Sequence, residues 1–524
     1  MLGDAATTTV RDATLSFMRS VGMTTIFGNP GSTELPMFRN FPGDFRYVLG
    51  LQESVVLGMA DGFAQATRNA GFVNLHSAAG VGHALGNLFT AYKNQTPLVI
   101  TAGQQARSIL PYEPFLFADR PTEFPQPYVK WACEPVRAED VPAAIARAYH
   151  VAMQPPCGPT FVSIPVDDWD RPCDPLPVRR VAAANPGDPE AMAEIAQALA
   201  AASSPAIVVG AGVSRDNAWD ALVALAERHA AAVWVAPLSA RCGFPEDHAL
   251  FAGFLKASRE AIVAALAGHD VVLVIGGPLS LYHVEGFGPH APPDATVFQI
   301  IDDPAQAAWA PEGLAVIANA RLATQALLAG PAPQRPRTAP PRLVRPALPP
   351  AGFTDAHLLA RIAALRPAGS IIVEEAASSR GAMHDHLPIV AQDTFYTCAS
   401  GGLGHGLPAA IGVALARRSG KVIAVLGDGA AMYAIQGLWS AAQLGLAVSF
   451  VIVRNRRYQA LVEFSRHFQL HSPMATDLPG LDFCALAQAQ GVSAVRVEAY
   501  DGLDAALSAS FESIGPTLVE VCVD

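Results

Sequence analysis

Apolar residues along this chain fall into two alternating patterns. Short continuous apolar runs read as strands buried on both faces, and stretches of 3.6-residue periodicity between them read as helices. Val10, Ala13, Phe17, Met18 and Val21 share one helical face. Thr24–Gly28, Phe45–Leu51, Phe72–Leu75, Leu98–Ala102 and Thr160–Ile164 predict a first parallel sheet, with a helix from Glu53 to about Thr67. Ala206–Val209, Ala232–Ala236, Val271–Ile275, Val297–Ile301 and Ala315–Ala318 predict a second. Ile371–Val373, Phe395–Thr397, Val422–Leu426, Val448–Val453, Ala494–Val497 and Thr517–Cys522 predict a third. A polar, Pro-containing passage, Asp170–Pro189, and a Pro-rich linker, Gly330–Gly352, separate them, and Thr354 is a candidate N-cap just after the linker. The expectation is an α/β chain of three domains, 1–180, 181–340 and 341–524. Each is an open, mostly parallel sheet flanked by helices.

Open sheets of this kind bind ligands beyond the C-terminal ends of their strands. Ser32, Glu53 and His76 each follow a strand of the first sheet and so share one rim. The stretch Lys421–Arg457 is one βαβ unit: strand, Gly427-Asp428-Gly429, a helix to about Leu444 ended by Gly445, then a strand delivering Asn455. It sets a carboxylate and an amide oxygen beside a helix N-terminus, a combination suited to Mg²⁺ and phosphate. Gly-Asp-Gly alone is common, and then Asp428 is simply a cap. Glu53 likewise either caps the helix it opens or does chemistry.

Composition narrows the classes. The chain has 524 residues, is 51% hydrophobic and 15% charged, and carries a formal charge of -11. No basic cluster suits nucleic acid. The arginines of Arg335–Arg345 sit in the linker. No stretch approaches the ~18 apolar residues of a membrane span, and the first residues lack a basic, apolar leader. Seven cysteines without C-x-x-C spacing fit neither a disulfide framework nor a zinc site. A cytoplasmic enzyme is expected. Gly210-Ala211-Gly212 invites a dinucleotide reading, but Arg215 replaces the third glycine, so a plain βα turn is expected, with no FAD.

With Asn455 one βαβ unit after Gly427-Asp428-Gly429, the chain resembles thiamine-diphosphate enzymes. Phe27-Gly28-Asn29-Pro30-Gly31-Ser32, Leu51-Gln52-Glu53, Asn74-Leu75-His76-Ser77-Ala78-Ala79-Gly80, Thr101-Ala102-Gly103-Gln104-Gln105, Ala399-Ser400-Gly401-Gly402-Leu403-Gly404 and Leu407-Pro408-Ala409-Ala410-Ile411-Gly412 are similar to the benzoylformate decarboxylase family. The likeness runs over essentially the whole chain. It implies two cofactor domains around a Rossmann-like middle domain, the first holding the pyrimidine and the third the diphosphate and metal. It implies decarboxylation of an aromatic 2-keto acid to an aldehyde through the cofactor's ylide and an enamine, as in the mandelate pathway.

The resemblance also assigns roles. Glu53 would bond the cofactor pyrimidine, Ser32 would hold the substrate carboxylate, and His76 and His283 would move protons. Tyr282 is an alternative to His283. His83, His405 and His467 match nothing in the pattern. Ser378, Ser379, Gly401, Leu403, Gly427, Asp428, Gly429 and Tyr458 would hold thiamine diphosphate. Glu375, beside the serines, is either a cap or a cofactor neighbour. Asp428, Asn455 and the Arg457 carbonyl would hold Mg²⁺ or Ca²⁺. Leu110, Thr397, Ala460, Leu461 and Phe464 would line the substrate pocket with Ser32.

Two positions depart from the pattern. Arg454 stands where a first Asn is usual. Thr397 stands where an aromatic residue is expected, which should widen and polarise the pocket. A homodimer is the smallest competent unit in this family, and the resemblance implies a homotetramer. Competing readings are a thiamine-diphosphate carboligase or lyase, a non-catalytic cofactor-binding homologue and, from the Gly210–Gly212 turn, a nicotinamide oxidoreductase.

Overall fold

The computed structural model describes residues 8–417 and 420–524. Residues 1–7, part of the stretch expected to lack a leader, lie outside that range. Among the described residues, eighteen strands form three six-stranded sheets. The first holds β1 (Thr25–Gly28), β2 (Arg46–Leu49), β3 (Gly71–Leu75), β4 (Leu98–Gln104), β5 (Ala132–Cys133) and β6 (Pro159–Pro165). The second holds β7 (Pro205–Val209), β8 (Ala232–Val235), β9 (Phe251–Phe254), β10 (Val271–Ile275), β11 (Thr296–Ile301) and β12 (Leu314–Ile317). The third holds β13 (Ile371–Glu375), β14 (Phe395–Thr397), β15 (Val422–Gly427), β16 (Val448–Arg454), β17 (Ser493–Val497) and β18 (Thr517–Cys522).

Every pairing between these strands is parallel. The strands are apolar because helices cover both faces and leave no solvated side. β3, β4, β6, β7, β10 and β13 are buried along their whole length.

The first sheet runs β2-β1-β3-β4-β6-β5 and the third β14-β13-β15-β16-β18-β17. Numbered within each sheet, both orders are 2-1-3-4-6-5. The second runs β12-β11-β10-β7-β8-β9, the Rossmann order read from its far edge. β5 and β9 had no counterpart in the apolar pattern. The helix expected after Asp428 is two pieces, Asp428–Met432 and Gly437–Leu444, and Gly445 ends the second in the left-handed region at φ 59.

The helix Glu53–Thr67 crosses the helix Gly406–Ala416 at close range. Gly62 and Gly412 make this possible, since a Cβ at either would overlap the backbone of the opposite helix. Between them lies a sealed polar cluster: Asp61 and His405, both 0% exposed, form an ion pair, and Asn94 Nδ2 donates to Asp61 Oδ2 at 2.9 Å. The Gly210–Gly212 turn closes on another loop. Gly212 N donates to the Gly276 carbonyl at 2.7 Å, and a Cβ on Gly210 would strike Gly277. That close fit explains the glycines without a dinucleotide.

The linker is strapped down by its arginines. Arg337 donates to the carbonyls of Leu199, Ala200, Ala202 and His229, which end two helices of the middle segment. Arg345 donates to the carbonyls of Glu246 and His384. Thr354 is the N-cap of the helix Asp355–Leu365, its hydroxyl paired with His357 Nδ1 at 3.0 Å.

Candidate active site

The strand order of the first sheet reverses between β1 and β3. A crevice opens at such a switch point, beyond the strand ends. The loop Asn29–Ser32 and His76 emerge there. Glu53 lies at the same rim, and it does not cap its helix. Gln52 is the N-cap, its Oε1 accepting from Ser54 N at 2.7 Å and Val55 N at 3.1 Å. The Glu53 carboxylate is therefore spared for other work. It is 9% exposed, accepts from Asn29 Nδ2 at 3.4 Å and pairs with His83 Nδ1 at 3.1 Å. His83 is thus part of the site, contrary to the sequence reading. No periodicity signals it, because the contact joins two facing helices.

His76 is held from behind. Its Nδ1 lies 2.9 Å from Glu34 Oε2 and 3.2 Å from Thr33 Oγ1. Glu34 is 2% exposed and is itself fixed by Gly31 N at 2.8 Å and Gly103 N at 2.9 Å. A carboxylate on Nδ1 sets the ring orientation and leaves Nε2 for other partners. Gly31 is obligatory here, since a Cβ would enter the His76 ring. Sequence reasoning missed Glu34 and Thr33, although they directly follow the Pro30-Gly31-Ser32 signal. Ser32 is exposed on this loop.

The third sheet reverses between β13 and β15, and the second group gathers there. Asp428 follows β15, is 2% exposed and accepts from Gly429 N at 2.8 Å and Arg456 N at 2.7 Å. Burial raises its carboxyl above the usual range, against the pull of those N–H groups. Among the described residues it has no ion-pair partner. A buried carboxylate with no ion-pair partner among the described residues suits a bound cation.

Asn455 follows β16, its Oδ1 accepting from Arg457 N at 3.1 Å, and the Arg457 carbonyl accepts from Gln459 N at 3.0 Å. A second lone pair remains on each oxygen. The Tyr458 ring lies where a Cβ on Gly429 would be. Gly401 sits at φ 71 with open space around its Cα, and Leu403 is half-buried behind it. Ser378 and Ser379 form a 3₁₀ turn with no side-chain capping bond.

Glu375 proves to be the last residue of β13. It caps the helix Gly406–Ala416, accepting from the N–H groups of Gly404 at 2.7 Å, His405 at 3.3 Å and Gly406 at 2.7 Å. Burial nevertheless pushes its carboxyl up to about 7.

Arg454 turns away from Asn455, as alternate strand residues must. It pairs with Glu520, which is 0% exposed and also holds Arg496 at 3.0 Å. Asp482, Cys484 and Glu520 lie close enough to hold a metal, but these two guanidiniums already satisfy the charge. Arg454→Asn is expected to lower stability by about 1–3 kcal/mol, by leaving Glu520 half-paired, while Mg²⁺ affinity stays unchanged. Urea unfolding and a calorimetric Mg²⁺ titration check this; weakened Mg²⁺ binding would place the guanidinium at the metal instead.

His283 meets Phe464 edge-on, with ring centroids 4.5 Å apart, joining the second sheet's loops to the helix Gln459–His467. That helix also carries Ala460 and Leu461. Tyr282 is engaged elsewhere, its hydroxyl 2.7 Å from His290 Nδ1. Leu110 lies in a separate 3₁₀ turn, Leu110–Tyr112.

Thr397 does not open the expected space. It is 1% exposed, and its hydroxyl donates to Glu374 Oε2 at 2.7 Å and accepts from Arg380 Nη2 at 2.9 Å. The position is polar as expected, but filled. Among the described residues, no hydrogen bond joins the Glu53 group to the Asp428 group within one chain. The two sheets' domains meet through Asp61 and His405 and through bonds such as Asn87 Nδ2 to the Gly404 carbonyl at 3.1 Å and Ser440 Oγ to the Leu49 carbonyl at 3.0 Å.

Three family models match the chain in order: the thiamine pyrophosphate enzyme N-terminal TPP binding domain over residues 8–125, the central domain over 192–327 and the C-terminal TPP binding domain over 375–521. The sequence is 41% identical over 520 residues to a benzoylformate decarboxylase of Pseudomonas aeruginosa, covering 98% of both chains. A solved 4-hydroxybenzoylformate decarboxylase of Rhodococcus jostii superposes with a TM-score of 0.94 at 38% identity, covering 98% of this chain and 99% of that one. A solved benzoylformate decarboxylase of Polynucleobacter necessarius gives 0.94 and 38%, covering 98% of each.

Proposed function

Because this chain belongs to the thiamine pyrophosphate enzymes, we propose that it removes CO₂ from an aromatic 2-keto acid of the benzoylformate type, releasing the aldehyde. The observation that carries this reading is Glu53. Gln52 relieves it of capping, and its carboxylate is held at the rim of the first sheet by Asn29 and His83. Bound thiamine diphosphate supplies the thiazolium that accepts the electron pair left behind by CO₂. Glu53, its carboxylate steadied by Asn29 and His83, would hold the pyrimidine of the bound cofactor and carry its proton. Ser32 holds the substrate carboxylate. His76, oriented by Glu34, presents Nε2 for proton transfer, and His283 serves as the second acid–base group against Phe464.

The buried, unpaired charge of Asp428 and the oxygens of Asn455 and Arg457 suit Mg²⁺, or Ca²⁺ in its place. Ser378, Ser379, Gly401, Leu403, Gly427, Gly429 and Tyr458 would hold the rest of the cofactor. Leu110, from its separate turn, and Ala460, Leu461 and Phe464, from one helix, would give the substrate an apolar lining, and expelling water there favours loss of a charged carboxylate.

The boundaries 1–180, 181–340 and 341–524 each enclose one sheet. A site shared between two copies, one supplying the Glu53 group and the other the Asp428 group, follows the family pattern. Exposed apolar side chains at Tyr112, Phe115, Phe468, Leu470 and Met474 support a homodimer at least, and a homotetramer by the family pattern. No helix among the described residues is long and apolar enough to cross a membrane. Seven free cysteines support the cytoplasm, and mandelate breakdown is the setting such a substrate implies.

With added thiamine diphosphate and Mg²⁺, benzoylformate is expected to give aldehyde faster than pyruvate or a branched aliphatic 2-keto acid. Faster turnover of the aliphatic acids would overturn the aromatic assignment.

A further inference from the structure

Arg380 follows directly on Ser378 and Ser379 and opens the helix Arg380–His386. The 3₁₀ turn before it packs on the helix that carries Ala460, Leu461 and Phe464. Its guanidinium is clamped on one side only. Nε donates to Glu374 Oε2 at 3.0 Å, and Nη2 reaches Glu374 Oε2 at 2.9 Å and Thr397 Oγ1 at 2.9 Å. Glu374 and Thr397 are each 1% exposed. The Glu374 carboxylate is fully committed, since its other oxygen accepts from Ala376 N at 2.6 Å. The Thr397 hydroxyl has spent its proton on Glu374.

A guanidinium has five N–H donors in one plane. Glu374 and Thr397 take those on Nε and Nη2. Nη1 has no acceptor among the described residues, and the side chain keeps 24% exposure. The result is a fixed pair of donors with its charge cancelled from behind. A donor pair of this kind recognises a neutral oxygen acceptor, because the Glu374–Arg380 pair adds no net charge to the space in front. It also explains why a polar residue stands at Thr397, since Thr397 is the second clamp on Arg380.

Resting on the decarboxylase reading above, we infer that Arg380 is a specificity-determining residue, whose Nη1 donates to an oxygen substituent on the aryl ring of the substrate. The preferred substrates are then aryl glyoxylates bearing hydroxyl or alkoxy groups, over alkyl-substituted ones of equal size. An apolar pocket alone discriminates weakly between such isosteres, whereas a site built to hydrogen-bond a substituent discriminates strongly.

The test compares kcat/KM for 3- and 4-methoxybenzoylformate with that for the 3- and 4-ethyl analogues, which match them in size but lack the acceptor oxygen. In the wild-type holoenzyme, methoxy over ethyl is expected to reach about 10-fold or more at one ring position. Arg380→Met should bring that ratio close to one, whatever happens to the rates common to both compounds. The double variant Glu374→Gln, Arg380→Met removes the unpaired carboxylate and should give the same ratio if the single variant folds poorly. A wild-type ratio near one at both positions, or a preference that survives in either variant, overturns the inference. A wild-type enzyme that turns over aliphatic 2-keto acids but no aryl glyoxylate would instead sink the aromatic assignment, and this inference with it.

Discussion

Glu53→Gln is expected to slow turnover by about 10²–10⁴-fold, the range for removing a positioned acid–base group, while leaving thiamine diphosphate bound. The substitution is nearly isosteric. Gln52 does the capping, so the helix Glu53–Thr67 keeps its N-terminus. An amide still accepts from Asn29 at one oxygen, but it cannot carry a proton between the pyrimidine and solvent. Cofactor binding by fluorescence quenching and steady-state turnover check the two halves separately. Unchanged turnover would remove Glu53 from the chemistry. Lost cofactor binding with an intact fold would make its role one of affinity.

Asp61→Ala is expected to destabilise the chain by about 3–5 kcal/mol, the usual result of stranding a buried charge. Asp61 and His405 are both 0% exposed, and Ala would leave the His405 ring and the Asn94 amide without their shared acceptor. Burial alone would raise the Asp61 carboxyl, yet the His405 charge brings it below its ordinary range. Burial alone would lower His405, yet the Asp61 charge lifts it above its ordinary value.

The signs set the pH window. A lowered carboxylate contributes stability that is present above its unfolded pKa of about 3.9 and is lost as pH falls through the folded value. A raised histidine contributes stability that is full below its unfolded pKa of about 6.5 and is lost as pH rises through the folded value. The gap between wild type and Asp61→Ala should therefore be widest between about pH 4 and 6.5 and narrow on either side. Urea unfolding over a pH series checks this. A gap that does not vary with pH would mean that the pair is not ionised.

The strands that carry this architecture were legible because burial on both faces leaves continuous apolar runs such as Val271–Ile275 and Val422–Leu426. Ala132–Cys133 was not, because two residues leave no pattern. Nor was Phe251–Phe254, where Gly253 lies at φ 128 beside a register shift on β8. Glu53, Asp428 and Asn455 were legible because strand ends and glycine turns mark the rim.

The partners of the site residues were not legible. His83 meets Glu53 across two helices, His405 meets Asp61 across 344 positions, and Arg454 meets Glu520 across 66. Thr397 shows a related limit. Its polarity was visible, but only packing reveals that Arg380 occupies the space a lost ring would have vacated.

The Arg337 strap bears on the order in which the chain matures. Parallel sheets form slowly, since each neighbour arrives only after a crossover has closed. Arg337 finds its acceptors only where two helices end, near Ala200 and His229. In an unfinished middle segment those carbonyls are solvated and scattered, and the strap has nothing to grip. It can lie down only once those two helix ends stand side by side. The third sheet's chain, which leaves from the far end of that linker, is then tethered closely to the packed pair of helices.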